Sequence, residues 1–221
     1  TEVCPTLATL ARVTSKEHGV RAAYDDVADL YAEHFRATEA EQPVDVAMIE
    51  HFVSLLTSAD GARPRVLDAG CGAGRMLPLL ARFGAYVEGV DLSPAMIRRA
   101  HRDHAQFTTR VGTLTALPHD TASFDGAFSW YSTIHNPDSD LPTMLAELAR
   151  VTRAGGCVLV AFQAGEGERD AGGVEAQLPG VGQQHDPDRG QQQCQNADGG
   201  DHREGWSPPS GGHGRAHIER I

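Results

Sequence analysis

The chain has 221 residues, with 19 Lys and Arg against 30 Asp and Glu, a formal net charge of −11. That balance gives no long-range attraction to a phosphate backbone and favours a small-molecule substrate over nucleic acid. No apolar run approaches a membrane span, no signal-peptide pattern precedes the first helix, and Cys4, Cys71, Cys157 and Cys194 form no Cys-x-x-Cys pair, so a cytoplasmic protein with reduced thiols is expected.

The length suits one α/β domain with a full core. Residues 1–21 lack a period and read as a flexible lead-in. Val27, Leu30, Tyr31 and Phe35 are spaced for a helix over 22–35, and Val46, Ile49, Phe52, Val53 and Leu56 for a second over 44–56. Asp60-Gly61 and Pro64 then break the chain. Strands are predicted at 65–69, 86–90, 107–111, 124–131 and 157–162. Helices are predicted between them at 75–83, from the Ser93-Pro94 cap through His101, and at 141–151, with Gly155-Gly156 as a turn. This alternation predicts an α/β fold with a doubly wound, mostly parallel sheet. The domain is expected to span residues 22–164.

Beyond Gly165 the composition shifts to Gly, Gln, Asp, His, Arg and Pro, with no strand or helix period. A short helix near Val174–Leu178 is the one local candidate. Residues 165–221 read either as a natural disordered tail or as coding sequence read out of frame. Either way, the sheet is expected to end at its fifth strand, leaving an open edge.

The richest segment is Val66-Leu-Asp68-Ala-Gly70-Cys-Gly72-Ala-Gly74. A strand delivers its carboxyl end into a glycine turn that opens a helix, and glycines let backbone approach a ligand closely. Asp91, closing the next apolar run, is the matching carboxylate for ribose hydroxyls at the switch crevice. A dinucleotide fold wants Gly-x-Gly-x-x-Gly, but the third position counted from Gly70 is Arg75. Asp68 ahead of the turn would also face a pyrophosphate anion to anion, whereas a cationic ligand suits it.

Asp68, Gly70, Gly72 and Gly74 resemble the first motif of the class I S-adenosylmethionine-dependent methyltransferases, Asp/Glu-x-Gly-x-Gly-x-Gly. The segment from Gly112 to Pro118 resembles a later motif, Gly-Asp-x-x-x-Leu-Pro, whose aspartate accepts a hydrogen bond from the adenine amino group; here Thr113 replaces it. Leu117-Pro118 and Ser123-Phe124-Asp125 follow the family pattern. Trp130-Tyr131-Ser132-x-Ile134-His135 is similar to a string in a small bacterial branch of the family. Tyr24-Asp25-x-x-Ala28-x-x-Tyr31 resembles the opening helix that lies over the cofactor as a lid, although core tyrosines explain the same letters. Arg150 to Gly156 resembles the family's Arg-x-Leu-x-Pro-Gly-Gly turn, with Ala154 where proline is usual.

The resemblance implies S-adenosylmethionine as cofactor and methyl transfer to a small-molecule acceptor. It implies a cofactor site of Tyr24, Tyr31, Asp68, Gly70, Gly72, Gly74, Asp91, Leu92, Met96, Thr113, Leu114 and Trp130. Aromatic faces are favourable beside a sulfonium, and Tyr131 and His135 are the catalytic candidates at the methyl site. No metal is expected, because His101/His104 and His213/His217 lack a convincing third ligand. Two alternatives are a truncated or inactive cofactor-binding protein and an NAD-dependent oxidoreductase.

Overall fold

The computed structural model describes residues 15–35, 38, 41–58, 61–134, 136–163 and 214–221. In chain order its elements are α1 (Ser15–His34), α2 (Pro43–Leu55), β1 (Arg65–Ala69), α3 (Leu77–Arg82), β2 (Tyr86–Asp91) and α4 (Pro94–Asp103). They continue with β3 (Thr108–Val111), β4 (Phe124–Trp130), α5 (Leu141–Val151), β5 (Thr152–Gln163) and β6 (Gly214–Arg220). The strands form one sheet in the order β3-β2-β1-β4-β5-β6. The first five are mutually parallel, and β6 is antiparallel to β5. The chain winds outward from β1 to β3 and then returns to β4 on the other side of β1. That reversal is a topological switch point, where such sheets bind ligands at their carboxyl edge.

The central strands are covered on both faces, so β4 (Phe-Asp-Gly-Ala-Phe-Ser-Trp) is buried along its whole length. One face packs Val66, Val87 and Phe128 against Ile49, Phe52 and Val53 of α2 and Leu77 and Leu80 of α3. The other packs Leu67, Val90, Phe124 and Ala127 against Leu148 and Val151 of α5. Phe52 fits under β4 because position 126 is glycine: a Cβ there would stand 2.9 Å from the Phe52 ring tip. Each fully buried aromatic or aliphatic side chain contributes about 1.5–3 kcal/mol. Ser93 caps α4 by accepting the Met96 N–H at 3.0 Å, with Pro94 opening the helix as the sequence predicts.

The α/β class and the parallel core agree with expectation, and three details differ. The lead-in expected to reach residue 21 is shorter, because α1 begins at Ser15. Its first turn is fixed by a tertiary contact, the buried Glu17, which no local period could reveal. Next, the predicted Gly155-Gly156 turn lies within β5, where Gly155 has φ +78° and the register against β4 shifts between Phe124 and Gly126. Finally, the sheet does not end at its fifth strand. β6 pairs with β5 from Cys157↔Arg220 to Gln163↔Gly214, and the Gly155 and Ile221 N–H groups extend the ladder at 2.8 and 2.9 Å.

The expectation that the last two strands are missing is therefore corrected by one strand. Ala216 and Ile218 of β6 pack against the core, while His217 and Glu219 are exposed. Two apolar residues in seven are too few for a period-two signal, so the backbone ladder makes this strand. The helix candidate near Val174–Leu178 and the rest of 164–213 lie outside the described residues, as do Cys4, Cys194 and His213. Among the described residues no helix is long and apolar enough to cross a membrane, and no group of three His, Cys, Asp or Glu could hold a metal ion.

Candidate active site

The carboxyl end of β1 runs into the glycine turn, which is held by backbone bonds. The N–H groups of Gly70 and Cys71 both donate to the Val90 carbonyl, at 2.7 and 2.9 Å. Gly70 has φ +85°, and a Cβ there would lie 2.2 Å from the Ser132 Cβ. Only glycine is compatible with both conditions. Ser132 in turn donates to the Ala69 carbonyl at 2.8 Å and lies 2.5 Å from the Ser129 hydroxyl, which ties the loop after β4 to the turn after β1. Gly72 has φ +54°, and a Cβ there would meet nothing nearer than the Tyr31 ring at 4.0 Å, so its backbone faces open space under α1. Gly74 packs instead against Leu77, His104 and Ala100, where it closes the turn.

Two carboxylates flank the turn and differ in their partners. Asp91, at the end of β2, accepts the Gly72 N–H at 2.8 Å on one oxygen and the Ser93 N–H at 2.8 Å on the other. Burial pushes its pKa up, and those N–H donors pull it down. Asp68 is 1% exposed, and its Oδ2 has no hydrogen-bond partner among the described residues. Burial pushes its pKa up to about 7; the Arg75 charge opposes that shift and the Asp91 charge adds to it. An unpartnered buried carboxyl is costly, and a cationic ligand group would relieve it.

A small cavity beside Asp68 is lined by Gly70, Gly72, Arg75, Tyr31, Phe35 and Trp130, together with Cys71, Ala73 and Met76. Its volume is about 40 Å³, room for a water or so. A neighbouring cavity of about 350 Å³ shares Phe35, Ala73 and Arg75 with it. Arg75, the misfit of the dinucleotide motif, forms a buried ion pair with Glu41 from the loop before α2. The second Glu41 oxygen accepts the Trp130 indole N–H at 3.0 Å. Trp130 stacks on Phe128, with ring centroids 5.5 Å apart and planes 4° apart. Tyr131 meets the Trp130 ring edge-on and holds φ +54°. A non-glycine residue in that region carries strain of roughly 1–3 kcal/mol and is a recurrent mark of functional sites.

α1 covers this arrangement from above. Ala28 and Ala32 pack on Ala73 and Met96, with Tyr24 and Tyr31 beside them at an edge-on ring distance of 6.2 Å. Asp25 accepts the Ser93 hydroxyl at 2.6 Å and the Ala95 N–H at 2.9 Å. Asp29 accepts Arg99 at 3.1 Å and Arg102 at 2.6 Å. Glu17, 3% exposed, accepts the hydroxyls of Thr113 and, at 3.0 Å, Thr115.

Of the residues singled out from sequence, Tyr31, Asp68, Gly70, Gly72 and Trp130 share the small cavity. Asp91 and Leu92 border the turn from β2; Met96 is buried under α1, and Thr113 follows β3. Leu114, half-buried, packs against the core on the side of α5. Tyr131 stands next to the cavity through Trp130, and His135 lies outside the described residues. Sequence reasoning missed Glu17, Phe35, Glu41 and Ser132 as site residues and read Arg75 only as a misfit. Arg75 was detectable from its place directly after the turn and Ser132 from the aromatic string after β4; Glu17, Phe35 and Glu41 come from segments without a motif.

The strand order and the glycine turn at the switch point define a doubly wound, ligand-binding α/β domain. The family profile described as "Methyltransferase domain" matches residues 66–156. A malonyl-[acyl-carrier protein] O-methyltransferase of Erwinia pyrifoliae is 34% identical over 146 residues, which cover 66% of this chain and 52% of that relative. A demethylmenaquinone methyltransferase of Streptomyces avermitilis is 29% identical over 154 residues, covering 69% of this chain and 63% of the relative. The chain spans about half the length of the malonyl-[acyl-carrier protein] O-methyltransferases it matches.

Among solved structures, a geranyl diphosphate methyltransferase in complex with GPP and sinefungin superposes with a TM-score of 0.53 at 20% identity, covering 68% of this chain and 67% of that one. The Haemonchus contortus phosphoethanolamine N-methyltransferase 1 gives 0.52 at 19%, covering 68% and 33%. These two share the fold. Residues 66–156 thus resemble a methyltransferase domain, on a fold shared with solved methyltransferases.

Proposed function

We propose that this chain binds S-adenosylmethionine at the carboxyl edge of β1, β2 and β3 and transfers its methyl group to a small-molecule acceptor. The observation that carries the reading is the buried, unpartnered Oδ2 of Asp68 beside an open glycine backbone. A phosphate anion would be repelled there, whereas an ammonium and a sulfonium are attracted. When bound, S-adenosylmethionine supplies an electrophilic methyl group on a sulfonium sulfur. Asp68 and the backbone of Gly70 and Gly72 would hold the amino-acid end, and Asp91 the ribose hydroxyls. Met96 would pack on the base, while Tyr24 and Tyr31 close the site from α1.

The remaining work is positioning and exclusion of water. Trp130 is 6% exposed and offers an aromatic face that favours positive charge. Its N–H is already held by Glu41, so the ring orientation is fixed before any ligand arrives. Tyr131, set in a strained conformation directly after Trp130, would border the acceptor. His135, four residues further on in sequence, is the candidate proton acceptor if the nucleophile needs one. The relatives named above act on different acceptors, so what they share with this chain is the cofactor half. The small cavity, about 40 Å³, is far below the roughly 300 Å³ or more of small-molecule sites. The neighbouring cavity of about 350 Å³ adjoins it across Phe35, Ala73 and Arg75, and movement of α1 and Phe35 would join the two.

Calorimetric titration of the full chain with S-adenosylhomocysteine, and separately with NAD, tests the reading. Micromolar binding of the first, on the order of −8 kcal/mol, with no heat from the second is expected. Binding of NAD alone would establish the oxidoreductase reading in its place. Tight cofactor binding with no transfer to any acceptor would leave an inactive binding protein.

A further inference from the structure

This inference concerns the far edge of the sheet and does not depend on what the cleft binds. β6 is an edge strand: among the described residues its outer side pairs with no other strand. The Ile221 N–H donates to the Gly156 carbonyl at 2.9 Å, and the Ile221 carbonyl accepts the Gly155 N–H at 2.8 Å. Ile221 thus turns both backbone groups toward β5. That direction alternates along an antiparallel strand. Glu219 and His217 therefore also bond to β5, while Arg220, Ile218 and Ala216 turn their N–H and C=O groups to the open side.

Edges of this kind are usually blunted by a proline, a bulge or a covering element. β6 has no proline, and its register against β5 runs without a shift from Cys157↔Arg220 to Gln163↔Gly214. Ala216 and Ile218 are half-buried on one face. His217 and Glu219 are exposed on the other, with Nε2 and Oε2 2.8 Å apart. An imidazole and a carboxylate two positions apart make the strand complementary to itself. A two-fold axis at Ile218 sets that residue against Ile218 of the second copy, and each His217 against the other copy's Glu219. Ala216 then stands opposite Arg220. The outward-facing backbone groups of Ala216, Ile218 and Arg220 meet one another, so this register closes a regular antiparallel ladder. A slip of two residues either way brings His217 against itself or Glu219 against itself, and like charges directly opposite are unfavourable.

We propose that β6 is a homodimerisation edge, through which two copies of this chain pair antiparallel about a two-fold axis at Ile218 and join their sheets into one. A pairing that uses the same patch on both copies closes on itself, so assembly stops at the dimer. The imidazole–carboxylate pattern selects a second copy over an unrelated strand.

The test is sedimentation velocity of the full chain at micromolar concentration, with far-UV circular dichroism as the check on folding. The wild-type chain should sediment as a dimer. Ala216→Pro removes an outward N–H and leaves the bonds to β5 in place; it should give a monomer with an unchanged spectrum. Glu219→Lys places a cation opposite each imidazole and should weaken the dimer about 10-fold or more. The exchange His217→Glu/Glu219→His keeps every such pair unlike and should return the dissociation constant to within about threefold of wild type. Glu219 is exposed, so Glu219→Lys decides the matter even where Ala216→Pro fails to fold. A monomeric wild-type chain would overturn the proposal, whether solvent or another segment of the chain covers the edge. A dimer that Glu219→Lys leaves at wild-type strength, or a folded Ala216→Pro chain that stays dimeric, would overturn it too, because the contact would then lie elsewhere.

Discussion

The glycine turn and the α1 lid meet over the same cavity but are held in opposite ways. The turn is fixed by backbone N–H groups on Val90 and Asp91, between neighbouring parallel strands. The lid is fixed by carboxylate side chains, Glu17, Asp25 and Asp29, reaching partners 68 to 98 residues away in sequence. A turn built this way keeps its shape whatever the lid does. A lid built this way can lift by exchanging side-chain bonds for water, without breaking a sheet ladder. The comparison assigns rigidity to the half that would grip the ligand's charged end and movement to the half that would admit it.

The largest expected effect falls on the turn. Gly70→Ala places a methyl group 2.2 Å from the Ser132 Cβ at a backbone φ of +85°. It should destabilise the fold by about 3 kcal/mol or more, visible as a fall in the urea midpoint. A change below about 1 kcal/mol would mean that the loop after β4 is not locked to the turn. Asp91→Ala comes next: removing the acceptor of the Gly72 and Ser93 N–H groups should weaken S-adenosylhomocysteine binding by about 1–3 kcal/mol. Unchanged affinity would remove Asp91 from the ribose. At the small end, Asp29 is exposed and its pKa is lowered by hydrogen bonds from Arg102 and Arg99. Exposed ion pairs contribute little, so Asp29→Asn should leave both stability and affinity unchanged. A measurable loss would show that the outer end of the lid is as firmly built as the turn.

This contrast also separates what could be read from the sequence. The parallel core, the glycine turn and the positions of Asp68 and Asp91 are local patterns: apolar runs of strand length, glycines at fixed spacing, a carboxylate at a strand end. The Ser93-Pro94 cap is equally local and stands where it was expected. What was not legible depends on distant partners. Glu17 looks like one more surface acid before a helix until Thr113 and Thr115 are brought beneath it. Glu41 acquires its role only when Arg75 and Trp130 converge on it. β6 has two core-facing apolar residues and exists because the β5 edge offers it a ladder. Ser132 was visible as part of an aromatic string, but its purpose, filling the space that Gly70 leaves, is a packing fact.

The central claim is that Asp68 is held as a receptor for positive charge, and its pKa of about 7 gives the claim a sign. Because that value is raised above the unfolded one, the stability linked to the protonated carboxyl is fully present below about pH 4 and lost as pH rises through 7. Above pH 7 the ionised form is destabilising to the empty site and favourable to a cationic ligand. The most direct measurement is S-adenosylhomocysteine affinity and thermal stability at pH 8, for the wild-type chain and for Asp68→Asn. The account predicts that the variant melts higher than wild type, by at most about 4 kcal/mol in stability, while binding at least about 10-fold more weakly. A variant that binds as tightly as wild type would contradict it.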